Sequence, residues 1–265
     1  MTRGRYQLEY LTRGGMGLAY RAQLGQRQLF VKESPLDQSQ HLRGEAQMLQ
    51  RLPLGNFPRF VELFEEEGHL YLVTEFLEGQ TLEHEVQCNP WTYPEEVELR
   101  EVAGQLCRQL EILHNLKPAI LFLDLKPGNL IRSPDGRIYL VDFGIAQVCQ
   151  GAVTLGEYQG SPWTASPEHY IGKLDRRSDL FSLAATVHYL ATRGQAPRHP
   201  QAAFADVRGL HPALSEAFGA WLARCLELNP ERRFADVSAA RASLEGATAP
   251  ATGGLPAWKR WLGLK

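Results

Sequence analysis

Strand-like and helix-like residue patterns occupy separate parts of this chain, and that separation is the strongest constraint on its fold. Loose alternation of apolar and polar residues indicates five strands, at residues 6–13, 18–24, 28–32, 60–64 and 70–76. One helical period, at residues 39–52, lies among them, and after Gly79 the helical period dominates. The pattern predicts an α+β protein in which a small antiparallel sheet with one helix precedes a larger, mainly helical part.

The second part of the sequence predicts several helices and two short strands. The helical periods span residues 95–116, 177–192, 215–226 and 236–244. The strand candidates, 130–131 and 138–141, flank an Asp-Gly turn. The longest apolar run, 180–191, contains His188 and is too short to cross a bilayer, so we expect it to form a buried core helix.

Composition narrows the class of protein. The 265 residues are 44% apolar and 22% charged, as in soluble globular proteins. A formal net charge of −2 lacks the basic excess of a nucleic-acid binder. The four cysteines show no metal-ligand spacing, and residues 1–5 lead into a strand pattern and not an apolar leader. We therefore expect a cytoplasmic protein without a nucleic-acid partner.

Four polar residues between 124 and 142 carry the chemistry of a phosphate site. Asp124 offers a carboxylate that accepts a hydroxyl proton, and Lys126 offers a cation for a phosphoryl group in transit. Asn129 and Asp142 offer the hard oxygen ligands that Mg²⁺ prefers. The combination predicts a site where magnesium, polyphosphate and a hydroxyl nucleophile meet.

These residues stand in the segments Asp124-Leu125-Lys126-Pro127-Gly128-Asn129 and Asp142-Phe143-Gly144, whose order resembles the catalytic core of protein kinases. From about Tyr6 to Leu244 the chain resembles a bacterial, eukaryotic-like serine/threonine protein kinase. The resemblance implies a bilobal kinase domain at 1–246, with an N-lobe at 1–76 and a C-lobe at 77–246. A flexible linker at 247–256 and a short basic and aromatic tail at 257–265 would follow.

The resemblance also implies ATP and Mg²⁺ as cofactors and protein Ser/Thr hydroxyls as substrates. Asp124 would then orient the substrate hydroxyl and Lys126 would contact the γ-phosphate, while Asn129 and Asp142 would bind Mg²⁺. Lys32 would position the nucleotide phosphates, paired with Glu45 on the following helix. Glu33 remains an alternative partner because it is adjacent to the lysine.

A glycine-rich stretch lies between the first two predicted strands. It contains Leu11, Gly14, Gly15 and Gly17, and it resembles the loop that covers nucleotide phosphates in kinases. Glycines allow backbone to approach phosphate oxygens closely. Thr12 replaces the first glycine of the family pattern, so the match is incomplete.

The adenine pocket is expected around the end of the fifth strand. Thr74, Glu75, Phe76 and Leu77 resemble the hinge that hydrogen-bonds adenine, with Thr74 as gatekeeper.

Two neighbouring positions of that pocket depart from the family pattern. Phe30 stands where the family has a small residue above adenine, and Ala19 stands where it has a valine. We expect Phe30 to pack into the space vacated at Ala19, with Ile131 and Val141 below the base.

The segment 160–168 resembles the family's substrate-binding segment. Ser161 would lie beside the catalytic Asp and Lys, and Glu168 would form a buried ion pair with Arg233. Asp179 would hydrogen-bond the backbone of the catalytic loop. These last three residues support the fold on either interpretation.

The dipeptide before Asp124 departs most from the family. Phe122-Leu123 replaces His-Arg, and that arginine normally receives an activation-loop phosphate. A phosphate on Thr154, Tyr158 or Thr164 would lack its main cationic partner. We therefore expect activity without activation-loop phosphorylation.

Two other functions stay open. Thr12, Phe30 and Phe122-Leu123 favour a pseudokinase that acts as a nucleotide-binding or scaffold module, whereas the retained polar residues oppose it. A small-molecule kinase of the aminoglycoside type is disfavoured by the 160–168 segment. The 257–265 tail is long enough for weak membrane contact but short for firm anchoring, so a packed or mobile extension is favoured.

Overall fold

The structure is a computed structural model that describes residues 5–14, 17–55, 57–89, 93–149, 153–154, 160–195 and 202–246. Contacts between Cα atoms divide the chain into two compact units. The first consists of Met1–Gly79 with Tyr139–Ala146, and the second of Gln80–Ile138 with Gln147–Lys265. The predicted linker and tail lie outside the described residues, and the predicted domain bounds stay a prediction.

The first unit is built on a five-stranded antiparallel sheet. Its strands are β1 (Gln7–Gly14), β2 (Gly17–Leu24), β3 (Arg27–Pro35), β4 (Phe60–Glu66) and β5 (His69–Glu75). They are ordered β1-β2-β3-β5-β4, and every neighbouring pair is antiparallel. The five strands predicted from alternation are confirmed, because alternate residues cover a single core face of the sheet.

One helix, α1 (Gln40–Leu49), accompanies this sheet. It is shorter than the predicted span 39–52, because residues 50–52 form a turn and a bend ahead of Pro53. Its buried residues include Leu42, Ala46 and Leu49, which repeat at helical spacing. The predicted single helix of this unit is therefore confirmed with a corrected end.

The second unit is mainly helical. Its longer helices are α3 (Glu96–Asn115), α5 (Arg176–Ala191), α7 (Glu216–Cys225) and α8 (Val237–Gly246). Shorter helices are α2 (Leu82–Cys88), α4 (Pro167–Tyr170) and α6 (Val207–Leu210). The four long helices match the predicted periods within two residues at each end. The α+β fold class is thus confirmed.

Short strands complete the described part of the chain. They are β6 (Gln80–Thr81), β7 (Ala119–Leu121), β8 (Leu130–Arg132), β9 (Ile138–Leu140), β10 (Gln147–Cys149), β11 (Val153–Thr154) and β12 (Lys173–Leu174). β6 pairs with β8, β7 with β10, and β11 with β12, all antiparallel. Only β8 and β9 were predicted, since strands of two or three residues carry almost no periodic signal.

Helix α5 is the centre of the second unit. Asp175 caps its start by accepting a hydrogen bond from the Arg177 backbone amide, and Ser178 completes a capping box. Nearly every residue from Leu180 to Ala191 is buried, including His188. The apolar run 180–191 therefore forms a core helix, as predicted.

Candidate active site

Lys32 lies at the centre of an ion cluster within the first unit. Its Nζ atom is 2.8 Å from both carboxylate oxygens of Glu45 and 2.8 Å from Asp142 Oδ1. Glu45 extends from α1 and is buried, whereas about a third of the Asp142 side chain (34%) is exposed. Glu45 thus forms the ion pair expected of it, and the contact with Asp142 was not foreseen.

Strand geometry explains why Glu33 is not the partner of Lys32. Successive residues of a strand point to opposite faces of the sheet. Glu33 therefore lies on the other face, where its carboxylate is 3.7 Å from His69 Nε2. Burial alone would lower the pKa of Lys32, but the Glu45 and Asp142 carboxylates outweigh it and raise that pKa. Lys32 consequently stays cationic at neutral pH.

The hairpin that joins β1 and β2 requires glycine at position 17. Gly17 has a φ of 140°, and a Cβ atom there would lie 2.0 Å from the carbonyl oxygen of Glu33 in β3. The packing of the hairpin on β3 is enough to explain this glycine. Leu11 is largely exposed and Gly14 ends β1, while Gly15 lies outside the described residues.

Four residues of the expected nucleotide pocket share one face of the first unit's sheet. Ala19 lies opposite Lys32, and Phe30 lies opposite Thr74 and two residues before Lys32. Ala19 and Thr74 are buried, whereas Phe30 is partly exposed. Phe30 and Ala19 are therefore diagonal neighbours, within reach of an aromatic side chain. Their proposed volume compensation stays a prediction.

The expected hinge follows β5 directly. Thr74 and Glu75 end that strand, and the partly exposed residues Phe76 and Leu77 follow it outside the strand. The Arg21 guanidinium stacks on the Phe76 ring, 4.7 Å from its centroid. Nothing in the sequence predicts this contact, because it depends on how β2, β3 and β5 are paired.

Asp124 is the hub of a polar network within the second unit. Its Oδ2 atom accepts hydrogen bonds from Lys126 Nζ at 2.8 Å and from Asn129 Nδ2 at 2.9 Å. Its Oδ1 atom accepts one from Ser161 Oγ at 2.9 Å. Both carboxylate oxygens are therefore fixed, and the side chain is largely buried. The structure brings together Asp124, Lys126, Asn129 and Ser161 as their order in the sequence led us to expect.

A carboxylate on α5 anchors the loop that carries Asp124. Asp179 accepts hydrogen bonds from the backbone amides of Phe122 and Leu123, at 2.9 and 2.8 Å. This confirms the predicted role of Asp179. His114 Nε2 also lies 2.8 Å from Asp179 Oδ2, a contact that the sequence did not suggest. Leu123 adopts a φ of 66°, so this anchored backbone is held in a strained conformation.

A buried ion pair secures the segment that contains Ser161. Arg233 donates to both carboxylate oxygens of Glu168, at 2.6 and 2.9 Å, and the predicted pair is therefore confirmed. Ser178 Oγ donates to the same carboxylate at 2.9 Å. This bidentate geometry is the strongest form of the arginine–carboxylate interaction.

Asn129 in the second unit and Asp142 in the first each carry an oxygen ligand of the kind that Mg²⁺ accepts. Asn129 Nδ2 donates hydrogen bonds to the backbone oxygen and to the carboxylate of Asp124. The amide oxygen of Asn129 is therefore directed away from Asp124. Asp142 contributes a carboxylate of which one oxygen is held by Lys32. A carboxylate and an amide oxygen are ligands that Mg²⁺ prefers.

The positions and exposure of the remaining expected residues are as follows. Ile131 lies in β8 and Val141 directly follows β9, and both side chains are partly exposed. Thr164 is buried, at 1% exposure. The backbone of Thr154 lies in β11, whereas its side chain and the whole of Tyr158 lie outside the described residues.

A second buried arginine was missed by the sequence analysis. Arg132 Nε donates to both oxygens of Glu85 at 3.1 Å, and Arg132 Nη2 donates to Glu98 Oε1 at 3.1 Å. These residues come from β8, α2 and α3, and each side chain is at most 4% exposed. Nothing local in the sequence marks them, since the cluster depends on how three elements pack.

Comparisons with known proteins agree with this geometry. The family model described as "Protein kinase domain" matches residues 7–243. The chain is 32% identical over 272 residues to the serine/threonine-protein kinase PksC of Streptomyces coelicolor, covering 90% of this chain and 48% of that protein. It is 32% identical over 155 residues to mouse serine/threonine-protein kinase Nek1, covering 58% of this chain and 13% of Nek1.

A probable serine/threonine-protein kinase of Clostridium acetobutylicum is 27% identical over 207 residues, covering 72% of this chain and 30% of that protein. The chain therefore spans less than half the length of each of these three curated relatives. In the part of the chain that the structure describes, no helix is both long and apolar enough to cross a membrane.

Proposed function

We propose that this chain, which belongs to the protein kinase family, transfers the γ-phosphate of ATP to Ser or Thr hydroxyls of protein substrates in a Mg²⁺-dependent reaction. The observation that carries this proposal is the network around Asp124, whose two carboxylate oxygens are fixed by Lys126, Asn129 and Ser161. Serine/threonine kinases among the relatives support the choice of acceptor.

Asp124 is the residue that orients the acceptor hydroxyl and accepts its proton. A group in that role must be held still, and three hydrogen bonds hold this carboxylate. Lys126, whose side chain is about one-third exposed (30%), neutralises charge on the phosphoryl group as it moves. Ser161 ties the substrate-binding segment to the same carboxylate.

ATP is the phosphoryl donor in this proposal, and a bound Mg²⁺ would supply positive charge against its phosphates. Asn129 and Asp142 would hold the metal, and Lys32 would contact the nucleotide phosphates. Glu45 keeps the Lys32 ammonium in position through two 2.8 Å contacts. Leu11, Gly14, Gly15, Gly17, Ala19, Phe30, Ile131, Val141 and the hinge 74–77 would line the nucleotide site.

Activation-loop phosphorylation is dispensable in this proposal. Leu123 takes the place of the cation that would bind such a phosphate, and it is buried at 1% exposure. Thr164 is buried as well and is therefore a poor phosphoacceptor. Protein treated with a phosphatase should keep its activity, as should the variants Thr154→Ala and Tyr158→Phe. Loss of nearly all activity on dephosphorylation would refute this part.

A pseudokinase remains the second candidate, and Phe30 is the observation that favours it. Its ring lies on the sheet face that carries Lys32 and is only partly buried, so it occupies space on that face. A protein that binds nucleotide weakly, or not at all, would act through its surface. The experiment below separates the two functions.

The test measures transfer of labelled phosphate from ATP to a mixture of Ser- and Thr-containing peptides. Asp124→Asn should lower the rate by about 10²–10⁴-fold, the usual contribution of a general base. Asp142→Asn should lower it at least as much, whereas Glu101→Gln, an exposed carboxylate on α3, should not change it. Equal rates in wild type and both Asp variants would refute the proposal and favour the pseudokinase.

Partners and location belong to the same proposal. Protein substrates are the expected partners, with no nucleic acid, and the cytoplasm is the expected compartment. Weak membrane contact through 257–265 is tested by flotation with anionic vesicles, with and without that tail.

A further inference from the structure

A carboxylate outside the expected catalytic residues lies against the loop that carries Asp124. Gly128 belongs to the turn Pro127–Asn129, and a Cβ atom at Gly128 would lie 3.0 Å from Glu83 Oε2. Glu83 stands in the first turn of α2 and is partly exposed. The missing side chain at position 128 therefore leaves room for the Glu83 carboxylate beside the loop.

Two stacked aromatic rings lie in the same unit as Glu83. The rings of Trp163 and Tyr189 are 4.7 Å apart at an interplanar angle of 27°, and both are partly exposed. The absence of a side chain at Gly194 leaves room for the Tyr189 ring, since a Cβ atom there would lie 3.3 Å from it. Burial, and next the negative charge of Glu83, raise the pKa of Tyr189, which puts Glu83 within electrostatic reach of the stack.

Glu83 has no basic partner of its own in the part of the chain that the structure describes. No lysine, arginine or histidine lies within 4.0 Å of its carboxylate there. An unpaired carboxylate beside aromatic faces is a suitable receptor for an external cation: the anion binds the charged head, and the rings contact the flat or aliphatic part.

We propose that Glu83, together with the Trp163–Tyr189 stack, binds a basic side chain of the protein substrate, close in sequence to the accepted Ser or Thr. The proposal rests on the function proposed above. Gly128 is four residues from Asp124, so their Cα atoms are at most about 14 Å apart. An extended peptide advances about 3.3 Å per residue, which places the basic residue within about four positions of the acceptor.

Arginine should be preferred to lysine. A guanidinium is planar, stacks on aromatic rings and can donate two parallel hydrogen bonds to a carboxylate. Lysine offers a compact charge without the planar face. Trp163 and Tyr189 should therefore determine the selectivity for arginine over lysine. Glu83 should determine the selectivity for a basic side chain over a neutral one.

The experiment compares peptides that carry Arg, Lys, Glu or Ala at each of the four positions on either side of a Ser acceptor. Wild type should prefer Arg over Ala by about tenfold in kcat/KM at one position at least, the effect of about 1.4 kcal/mol. Glu83→Gln should reduce that ratio to near one, and Glu83→Lys should reverse it toward a Glu-containing peptide. Glu101→Gln is the matched control and should keep the wild-type ratio.

Gly128→Ala provides a test that removes no charge. Gly128 does not have a positive φ, so alanine is allowed there, but its Cβ atom would press on Glu83 Oε2. The variant should weaken the Arg preference partway, toward two- to threefold. Trp163→Leu should reduce discrimination between Arg and Lys more than discrimination between Lys and Ala.

A binding measurement separates failure of this inference from failure of the proposed function. Fluorescence anisotropy follows a labelled peptide in which Ala replaces the acceptor Ser, with Arg retained or replaced. Phosphate transfer without any Arg preference, or equal binding of both peptides, would overturn the inference alone. If no phosphate is transferred but peptide binding still depends on Arg and on Glu83, the kinase function is overturned and the cation site is supported.

Discussion

Arg233 and Arg132 are both buried in the second unit, but they have different numbers of carboxylate partners. Arg233 faces the single carboxylate of Glu168 with two short contacts, and it also donates to the backbone oxygen of Glu227. Arg132 is shared by Glu85 and Glu98, and among the described residues Glu98 Oε2 is buried without a hydrogen-bond partner. The Arg233 cluster therefore pairs one arginine with one carboxylate, whereas the Arg132 cluster pairs one arginine with two carboxylates.

The two clusters respond to pH in opposite directions. Burial alone would raise the pKa of Glu168, but the hydrogen bonds and charge of Arg233 lower it below its usual range. Burial raises the pKa of Glu85 and of Glu98 to about 7, although Arg132 opposes the shift. Glu101 on α3 and Glu95, the residue before that helix, add negative potential at Glu98. Burial beside an arginine therefore does not by itself keep a carboxylate ionised.

Removing Arg233 should have the largest effect. Arg233→Met leaves Glu168 buried and ionised without its cation, so we expect a loss of about 3–5 kcal/mol in the free energy of unfolding. Chemical denaturation at pH 7, followed by tryptophan fluorescence, measures it. A loss below about 1 kcal/mol would show that Glu168 is not held as an anion.

Removing Arg132 should lower the free energy of unfolding less than removing Arg233 does. In Arg132→Met the remaining carboxylates can protonate near neutral pH, so the cost is that of unsatisfied polar groups, about 1–3 kcal/mol. The same denaturation experiment gives the value. If the loss equals that of Arg233→Met, the distinction between the two clusters is wrong.

The wild-type protein should lose stability as pH rises through 7. The folded pKa of Glu85 and Glu98, about 7, lies above the ordinary value of 4.5. The folded state therefore holds a proton that the unfolded state has released, and the stabilisation it gives is lost on ionisation. For one shared proton we expect a decrease of about 1.4 kcal/mol between pH 6 and pH 8. A flat profile over this interval would contradict it.

Glu98→Gln should have the smallest effect at pH 6 and should change sign at higher pH. A glutamine resembles a protonated glutamate, so stability at pH 6 should stay within about 0.5 kcal/mol of wild type. At pH 8 the variant should be more stable than wild type, because it no longer buries a second negative charge. Glu216→Gln, an exposed carboxylate on α7, is the control and should keep the wild-type slope. Destabilisation at pH 8 would show that Glu98 is needed as an anion.

The Glu168–Arg233 pair could be predicted from the sequence, whereas the cluster of Arg132 with Glu85 and Glu98 could not. Glu168 and Arg233 stand in motifs that resemble known kinase motifs, so their pairing followed from the resemblance. Arg132 is 47 residues from Glu85 and 34 from Glu98, and neither spacing carries a local signal. Such a contact depends on which faces of α2, α3 and β8 meet, and residue order does not specify this.

The same distinction holds at the candidate site. The order of Asp124, Lys126, Asn129 and Ser161 predicted a common site, and they do form one network within the second unit. The contact between Glu83 and Gly128 was missed, because Glu83 looks like an ordinary polar residue in the first turn of a helix.

Residue order alone was enough to predict the succession of strands and helices, the polar residues of the catalytic type and the departures at Phe30 and Leu123. These are properties of periodicity and residue type, which depend on neighbours along the chain. Tertiary structure alone decided that Lys32 contacts Asp142, that Arg132 is shared by two carboxylates, and that Glu83 lies beside Gly128. Those contacts follow from the packing of distant segments, where burial and shape select partners that sequence distance cannot reveal.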